Sequence, residues 1–204
     1  MDEGLVKIRH ERSKKDFPFL KLEDGEYVEY AFSRAKVCLA MIFGGVSGGI
    51  ILVLIAFLFV LMGQNMLDDM GKNFLFIILA ALIAAILVIG MVALMVYRGN
   101  KLFVTNKHVI QMVMKSPVAT SLNVIDLASV EDASFHQNGI MQKLLHYGTF
   151  RLATVGDETT YTFTYSDVTP EELKGVSKLI TDAKKRGKRS RASEGEGDEE
   201  EKEK

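Results

Sequence analysis

The sequence predicts a membrane protein: a two-helix transmembrane hairpin plus a small α+β domain, whose antiparallel sheet is curled or forms a partly open barrel with a C-terminal amphipathic helix. Three observations predict it. Two long apolar segments occupy the middle of the 204-residue chain. Short runs of β-branched and aromatic residues with a period of two follow them, and an amphipathic helical pattern follows those runs.

The first segment, Val37 to Met62, holds no charged residue and only Ser47 as a clearly polar side chain. At 1.5 Å per residue it makes a helix of roughly 39 Å, enough to cross a hydrocarbon core of about 30 Å with some tilt. The second, Phe74 to Tyr97, is also free of charge and reaches roughly 36 Å. The connection 63–73 is too short for a domain, so the helices form a tight antiparallel hairpin. A buried helix pair inside a soluble protein is disfavoured, because soluble helices of this length expose a polar face. A cleaved signal peptide is disfavoured too, since 36 residues precede a span far longer than an h-region of about 7 to 15 residues.

Arg34 and Lys36 precede the first span and Arg98, Lys101 and Lys107 follow the second, against Lys72 alone in the connecting turn. The excess of Lys and Arg places both termini in the cytoplasm and makes the chain a multi-pass protein of the plasma membrane. The single cysteine, Cys38, excludes an intramolecular disulfide and a thiolate metal cluster.

In chain order, 1–24 reads as a charged, mostly mobile tail. Within 25–36, Glu26 to Phe32 alternates like a half-buried strand and needs a sheet from beyond Tyr97 to join. In the spans, Gly44, Gly45, Gly48 and Gly49 form overlapping small-xxx-small pairs, as do Ala80, Ala81, Ala84 and Ala85. Such residues let helices approach closely, and the tether favours packing within one hairpin over a homodimer interface. Neither span carries the ionisable groups that proton relays and ion pathways require, which argues against a pump or transporter acting alone.

Residues 98–184 form the soluble domain. Strand-length runs occur at His108 to Met114, Ala119 to Ile125, Val130 to Phe135, Thr149 to Val155 and Thr159 to Tyr165. Turn signals separate them at Thr105-Asn106-Lys107, Lys115-Ser116-Pro117 and Gly156-Asp157-Glu158. Thr169-Pro170-Glu171-Glu172 then reads as an N-cap, a first-turn proline and helix-start acids, followed by the apolar stripe Leu173, Val176, Leu179, Ile180 and Ala183. The remainder, 185–204, is basic and then acidic, a disordered composition.

The run Leu102 to Ile110 (LFVTNKHVI), then Val124-Ile125-Asp126-Leu127 followed by Val130, then Leu144-Leu145-His146-Tyr147-Gly148-Thr149, resembles the bacterial pleckstrin-homology-like (PH-like) membrane proteins of the YdbS type. Leu22, Gly25 and Glu26 match a leucine and Gly-Glu pattern that precedes the helices in that family. The resemblance covers roughly residues 22 to 183 and implies two transmembrane helices before a PH-like domain. It brings a fold and a location more than a mechanism, because members are mostly without an assigned activity. His108 stands where the family usually has arginine, which removes a permanent charge.

Nothing in the chain supports catalysis. The four histidines (His10, His108, His136, His146) lack metal-ligand spacing and read as surface or loop residues, and no nucleophile elbow, P-loop or dinucleotide fingerprint occurs. No cofactor is expected, and a formal net charge of −1 gives no global argument for nucleic acid. The apolar cluster Ile140, Met141, Leu144 and Leu145 either caps the sheet's core, the favoured reading, or dips into the bilayer surface. The basic cluster Lys184, Lys185, Arg186, Lys188, Arg189 and Arg191 is either a solvated polyampholyte or a contact with anionic lipid. The expected role is a membrane-anchored cytoplasmic module that binds the lipid surface or a protein partner. The alternative is an accessory subunit of a larger complex such as a transporter, packed through its Gly and Ala faces.

Overall fold

The computed structural model describes residues 3–62, 69–154 and 160–202. The elements follow in the order α1 (Glu3–Asp16), β1 (Val28–Ser33), α2 (Lys36–Met62), α3 (Asp69–Gly99), β2 (Lys101–Thr105), β3 (His108–Ser116) and β4 (Ala119–Asp126). A 3-10 turn at Leu127–Ser129 leads to β5 (Val130–His136), α4 (Ile140–Leu144), β6 (Gly148–Thr154), β7 (Thr160–Ser166) and α5 (Pro170–Lys202). By contacts the chain divides into two compact units. One holds residues 1–34, 100–113 and 121–204, and the other holds 35–99 with the hairpin tip 114–120.

In the first unit, two antiparallel sheets form, β1-β2-β3-β4 and β5-β6-β7. β1 joins β2 in the register Phe32↔Leu102 and Ser33↔Lys101, so the segment before the apolar helices completes a sheet begun after them. The sheets meet at one corner through an Arg34↔Ser166 bridge, and Gln111 Nε2 donates to Thr162 O at 2.9 Å. They remain two sheets and do not close into a barrel. Phe32, Leu102, Val104, Val109, Phe150, Leu152 and Phe163 fill the space between them, and α5 covers the core with Val176, Ile180 and Ala183.

Helix α5 starts where the residues demand it. Thr169 Oγ1 accepts from Glu172 N–H at 3.2 Å, and Thr169 N–H donates back to the Glu172 carboxylate at 2.8 Å. This capping box satisfies donors that the first turn leaves open, and Pro170 occupies a position that needs no N–H.

Two expectations about the ends of the chain are corrected, and one strand is added to those expected. Residues 3–24, expected to lie in a mobile tail, are folded: α1 occupies Glu3–Asp16, and Leu20 is buried with Phe103 and Ile110 in a second cluster that Phe17 and Leu22 flank. Phe17 and Phe19 pack their rings on Phe103 at centroid distances of 5.1 and 5.7 Å. The reason is local, since four apolar side chains stand among the charges between residues 17 and 22 and find the outer face of the first sheet. β2, for which no alternation signals a strand, is buried on both faces by this cover, and a strand buried on both faces reads as a continuous apolar run. Finally, the tail expected to be disordered from 185 is carried by α5, which continues to Lys202, in keeping with the helix propensity of its Ala, Glu, Lys and Arg residues. The expected turn Gly156-Asp157-Glu158 and most of the connection 63–73 lie outside the described residues.

In the second unit, α2 and α3 pack side by side. Among the half-buried positions of α2, Ile42, Val46, Gly49, Val53 and Phe57 recur at a spacing of three and four that marks one seam. Gly90 lies against Val46, where a Cβ would meet Val46 Cγ2 at 2.6 Å, and Gly49 faces Ile86. Outside this seam the large side chains are exposed, Phe59 at 81% and Met62 at 87%.

Candidate functional site

The segment Glu23 to Tyr27 and the turn Thr105-Asn106-Lys107, some 80 positions apart in the chain, are locked together side chain to backbone. Glu26 is buried at the centre. Thr105 Oγ1 donates to Glu26 Oε1 at 2.6 Å, the backbone N–H of Glu23 donates to Oε2 at 2.9 Å, and His108 Nδ1 lies 3.0 Å from Oε1. Asn106 accepts from Tyr27 N–H at 3.0 Å and donates to Gly25 O at 3.2 Å. Gly25 has φ +73°, a left-handed conformation that favours glycine. Helix α1 supports the same segment, with His10 Nδ1 2.5 Å from Glu26 O and Ser13 Oγ accepting from Val28 N–H at 3.1 Å. His10 in α1 is therefore buried and His108 in β3 half-buried, against the expectation of surface or loop residues, whereas His136 and His146 are exposed.

Two of the short patterns that carry the family resemblance, Gly25-Glu26 and the Thr-Asn-Lys-His turn, thus meet in space. Their spacing in sequence holds no sign of this, because the apolar helices separate them. Glu23, Glu26 and His108 each bring a ligand atom within 4.8 Å of the others, and among the described residues no other trio of His, Cys, Asp and Glu is so placed. Its carboxylates already hold protein donors: Lys107 Nζ lies 3.0 Å from Glu23 Oε2, and both Glu26 oxygens accept within the chain. The arrangement is a polar latch.

Burial pushes the Glu26 carboxyl up, but the hydrogen bonds from Thr105, the Glu23 backbone and His108, with the His108 charge, outweigh it and hold Glu26 below its ordinary value. A group whose folded pKa is depressed contributes stability above its unfolded pKa and loses it as pH falls through the folded one. Thermal unfolding of the protein in detergent should therefore show a loss of Tm that begins near the ordinary carboxylate value of 4.5 and deepens below it. The Glu26→Gln variant should show a shallower loss.

α4 does not cap the core. Ile140, Met141, Leu144 and Leu145 are 84, 58, 68 and 38% exposed, and none of them joins either apolar cluster. The loop is held instead by polar groups: Gln137 Nε2 donates to Gln142 O and Tyr147 O, both at 3.2 Å, and Asn138 N–H donates to Gln142 Oε1 at 2.5 Å. Replacing Ile140 and Leu144 together by serine should change unfolding free energy by no more than about 0.5 kcal/mol, as for exposed sites elsewhere. A loss of several kcal/mol in a denaturation curve would restore the core-cap reading.

In the basic cluster, Lys184 Nζ donates to Glu131 O at 3.0 Å and is drawn onto β5, whereas Arg186 Nε donates to Asp182 O at 3.3 Å within α5 itself and is exposed. Lys185 is exposed. The side chains of Lys188, Arg189 and Arg191 lie outside the described residues. On the apolar helices, Gly49 meets α3, whereas an added Cβ at Gly44, Gly45 or Gly48 would meet nothing within 4 Å. Ala80, Ala81, Ala84 and Ala85 are exposed, while Leu79, Ile83, Ile86 and Gly90 are the more buried positions of α3. Bulkier side chains fill the seam, and the alanines lie off it.

A four-stranded and a three-stranded antiparallel sheet with a C-terminal helix across their core define the class as PH-like. Residues 37–178, more than half of the chain, match the bacterial PH domain family, and the protein belongs to it. No curated protein and no solved structure matches the chain.

Proposed function

We propose that this protein is a membrane-anchored interaction module without catalysis, its α2–α3 hairpin spanning the plasma membrane and its PH-like domain held in the cytoplasm. The observation that carries this reading is the pair of helices long and apolar enough to cross a bilayer, Lys36–Met62 and Met70–Gly99, whose most apolar windows are 0% and 6% buried. A core helix of a soluble protein would bury that surface, and water would not tolerate it. Arg34, Lys36, Arg98 and Lys101 at the adjoining ends support cytoplasmic termini. The exposed apolar residues of α4, with Lys185 on α5, are the surfaces offered to lipid headgroups or to a protein partner.

Full-length protein should sediment with membranes and resist alkaline extraction, and tags at either terminus should be protected from external protease in intact cells. Recovery in the supernatant without detergent would overturn the anchoring. A second reading, an accessory subunit of a larger membrane complex, is favoured by the open faces of Gly44 and Gly48. Leucine at both positions should leave the hairpin folded and dissociate a partner helix, detectable by crosslinking in membranes.

A further inference from the structure

We propose that the β3–β4 hairpin tip, residues 115–120, is a second membrane contact that rests in the headgroup region of the bilayer crossed by α2 and α3. The inference rests on the spanning reading of those helices. Its first support is register. Lys101, the first residue of β2, pairs with Met112, yet β3 continues to Ser116. Since β2 leaves the end of α3 and β3 runs antiparallel to it, the overhang of four residues carries the chain about 13 Å back past the start of β2.

The second support is packing within one compact unit. Residues 114–120 group with the apolar helices, and the side chain of Met114 lies against Gly99, the last residue of α3. A Cβ on Gly99 would come within 2.5 Å of Met114 Sδ, so glycine makes this approach feasible. Tyr97 and Arg98 immediately precede that contact, an aromatic and a cation of the kind that marks a membrane interface. Met114 is thereby set at the level where α3 leaves the hydrocarbon.

The third support is the chemistry of the tip. Val118 is 95% exposed, the highest value among the large apolar side chains of the described residues. Pro117 and Ala119 beside it are exposed too, and Lys115 is the only charge between Val113 and Ile125. An apolar turn with one cation and no acid suits an anionic leaflet, where a positive charge near the surface is favoured and an acid would be repelled. The occupant that fits is therefore lipid, continuous with the lipid around the hairpin.

The test uses the full chain in vesicles of equimolar phosphatidylcholine and phosphatidylglycerol. In a Cys38→Ser background, single cysteines replace Val118, Leu52 near the middle of α2 and Thr181 in α5, and each carries an environment-sensitive fluorophore. Nitroxide lipids quench from a shallow or a deep acyl position. Interfacial segments bury their apolar side by about 5–10 Å, so the label at 118 should emit to the blue of that at 181 and be quenched more by the shallow nitroxide. The label at 52 should be quenched more by the deep one. If 52 behaves so but 118 matches 181, the tip inference fails alone. A blue-shifted label at 118 that no nitroxide lipid quenches overturns it in favour of a protein contact. Absence of quenching at 52 removes the spanning reading, and this inference with it.

Discussion

Replacing Glu26 with alanine is expected to lower the stability of the protein by about 3–5 kcal/mol, the cost of stripping one partner from a buried polar network. The change removes the acceptor that the Thr105 hydroxyl, the Glu23 N–H and His108 share, and leaves fully buried Thr105 only the His108 carbonyl, 2.9 Å away. It also unlatches β1 from the turn between β2 and β3, since the segment before β1 is held there by Glu26, Gly25 and Tyr27 together. Glu26→Gln keeps a carbonyl oxygen for Thr105 and should lose no more than about half as much, because one neutral acceptor survives. Denaturant unfolding of the detergent-solubilised protein would measure both. Equal losses in the two variants would mean that charge, not hydrogen bonding, dominates the latch. His108→Arg, which places a permanent cation beside Glu26, should retain the latch and be tolerated.

Phe103→Ala is the second large effect, with an expected loss of about 3–5 kcal/mol for truncating a fully buried aromatic side chain. Phe103 is 1% exposed on the face of the first sheet away from the main core, and its neighbours are Phe17, Phe19, Leu20 and Ile110. The consequence should be regional before it is global. Limited proteolysis should cut between residues 14 and 22, at Lys14, Lys15 or Lys21, under conditions that leave the parent intact, because the cover of the sheet has lost its anchor. If those sites are cut equally in both proteins, the N-terminal segment does not protect the sheet.

Legibility in the sequence differed by element, for physical reasons. The five runs with a period of two became β3 to β7, and the Thr-Pro-Glu-Glu start with its apolar stripe became α5, because strand-forming residues, turns and caps act locally even where burial does not alternate: β3 is covered on both faces near Val109 and Ile110, and β4 is largely exposed up to Ile125. β2 escaped notice because the N-terminal cover buries its second face, which erases alternation. α1 escaped because its residues carry no apolar stripe: its buried side chains, His10 and Ser13, are held by hydrogen bonds to backbone that only the fold brings near. The apolar cluster of α4 has the spacing of a core-facing turn, yet it stands exposed, since spacing defines a face and not what lies opposite it.

Composition and periodicity by themselves determined two long apolar helices, an antiparallel sheet system after them and a capped closing helix, because these are properties of neighbouring residues and of solvent preference. The strand before the helices was legible as one that joins a sheet from beyond Tyr97, and it does; the tertiary structure alone decided that β2 is its partner and in which register, that Glu26 meets Thr105 and His108, and that the β3–β4 tip groups with the apolar helices. Those facts depend on contacts between residues tens of positions apart, and no local pattern encodes which distant partner a polar side chain will find.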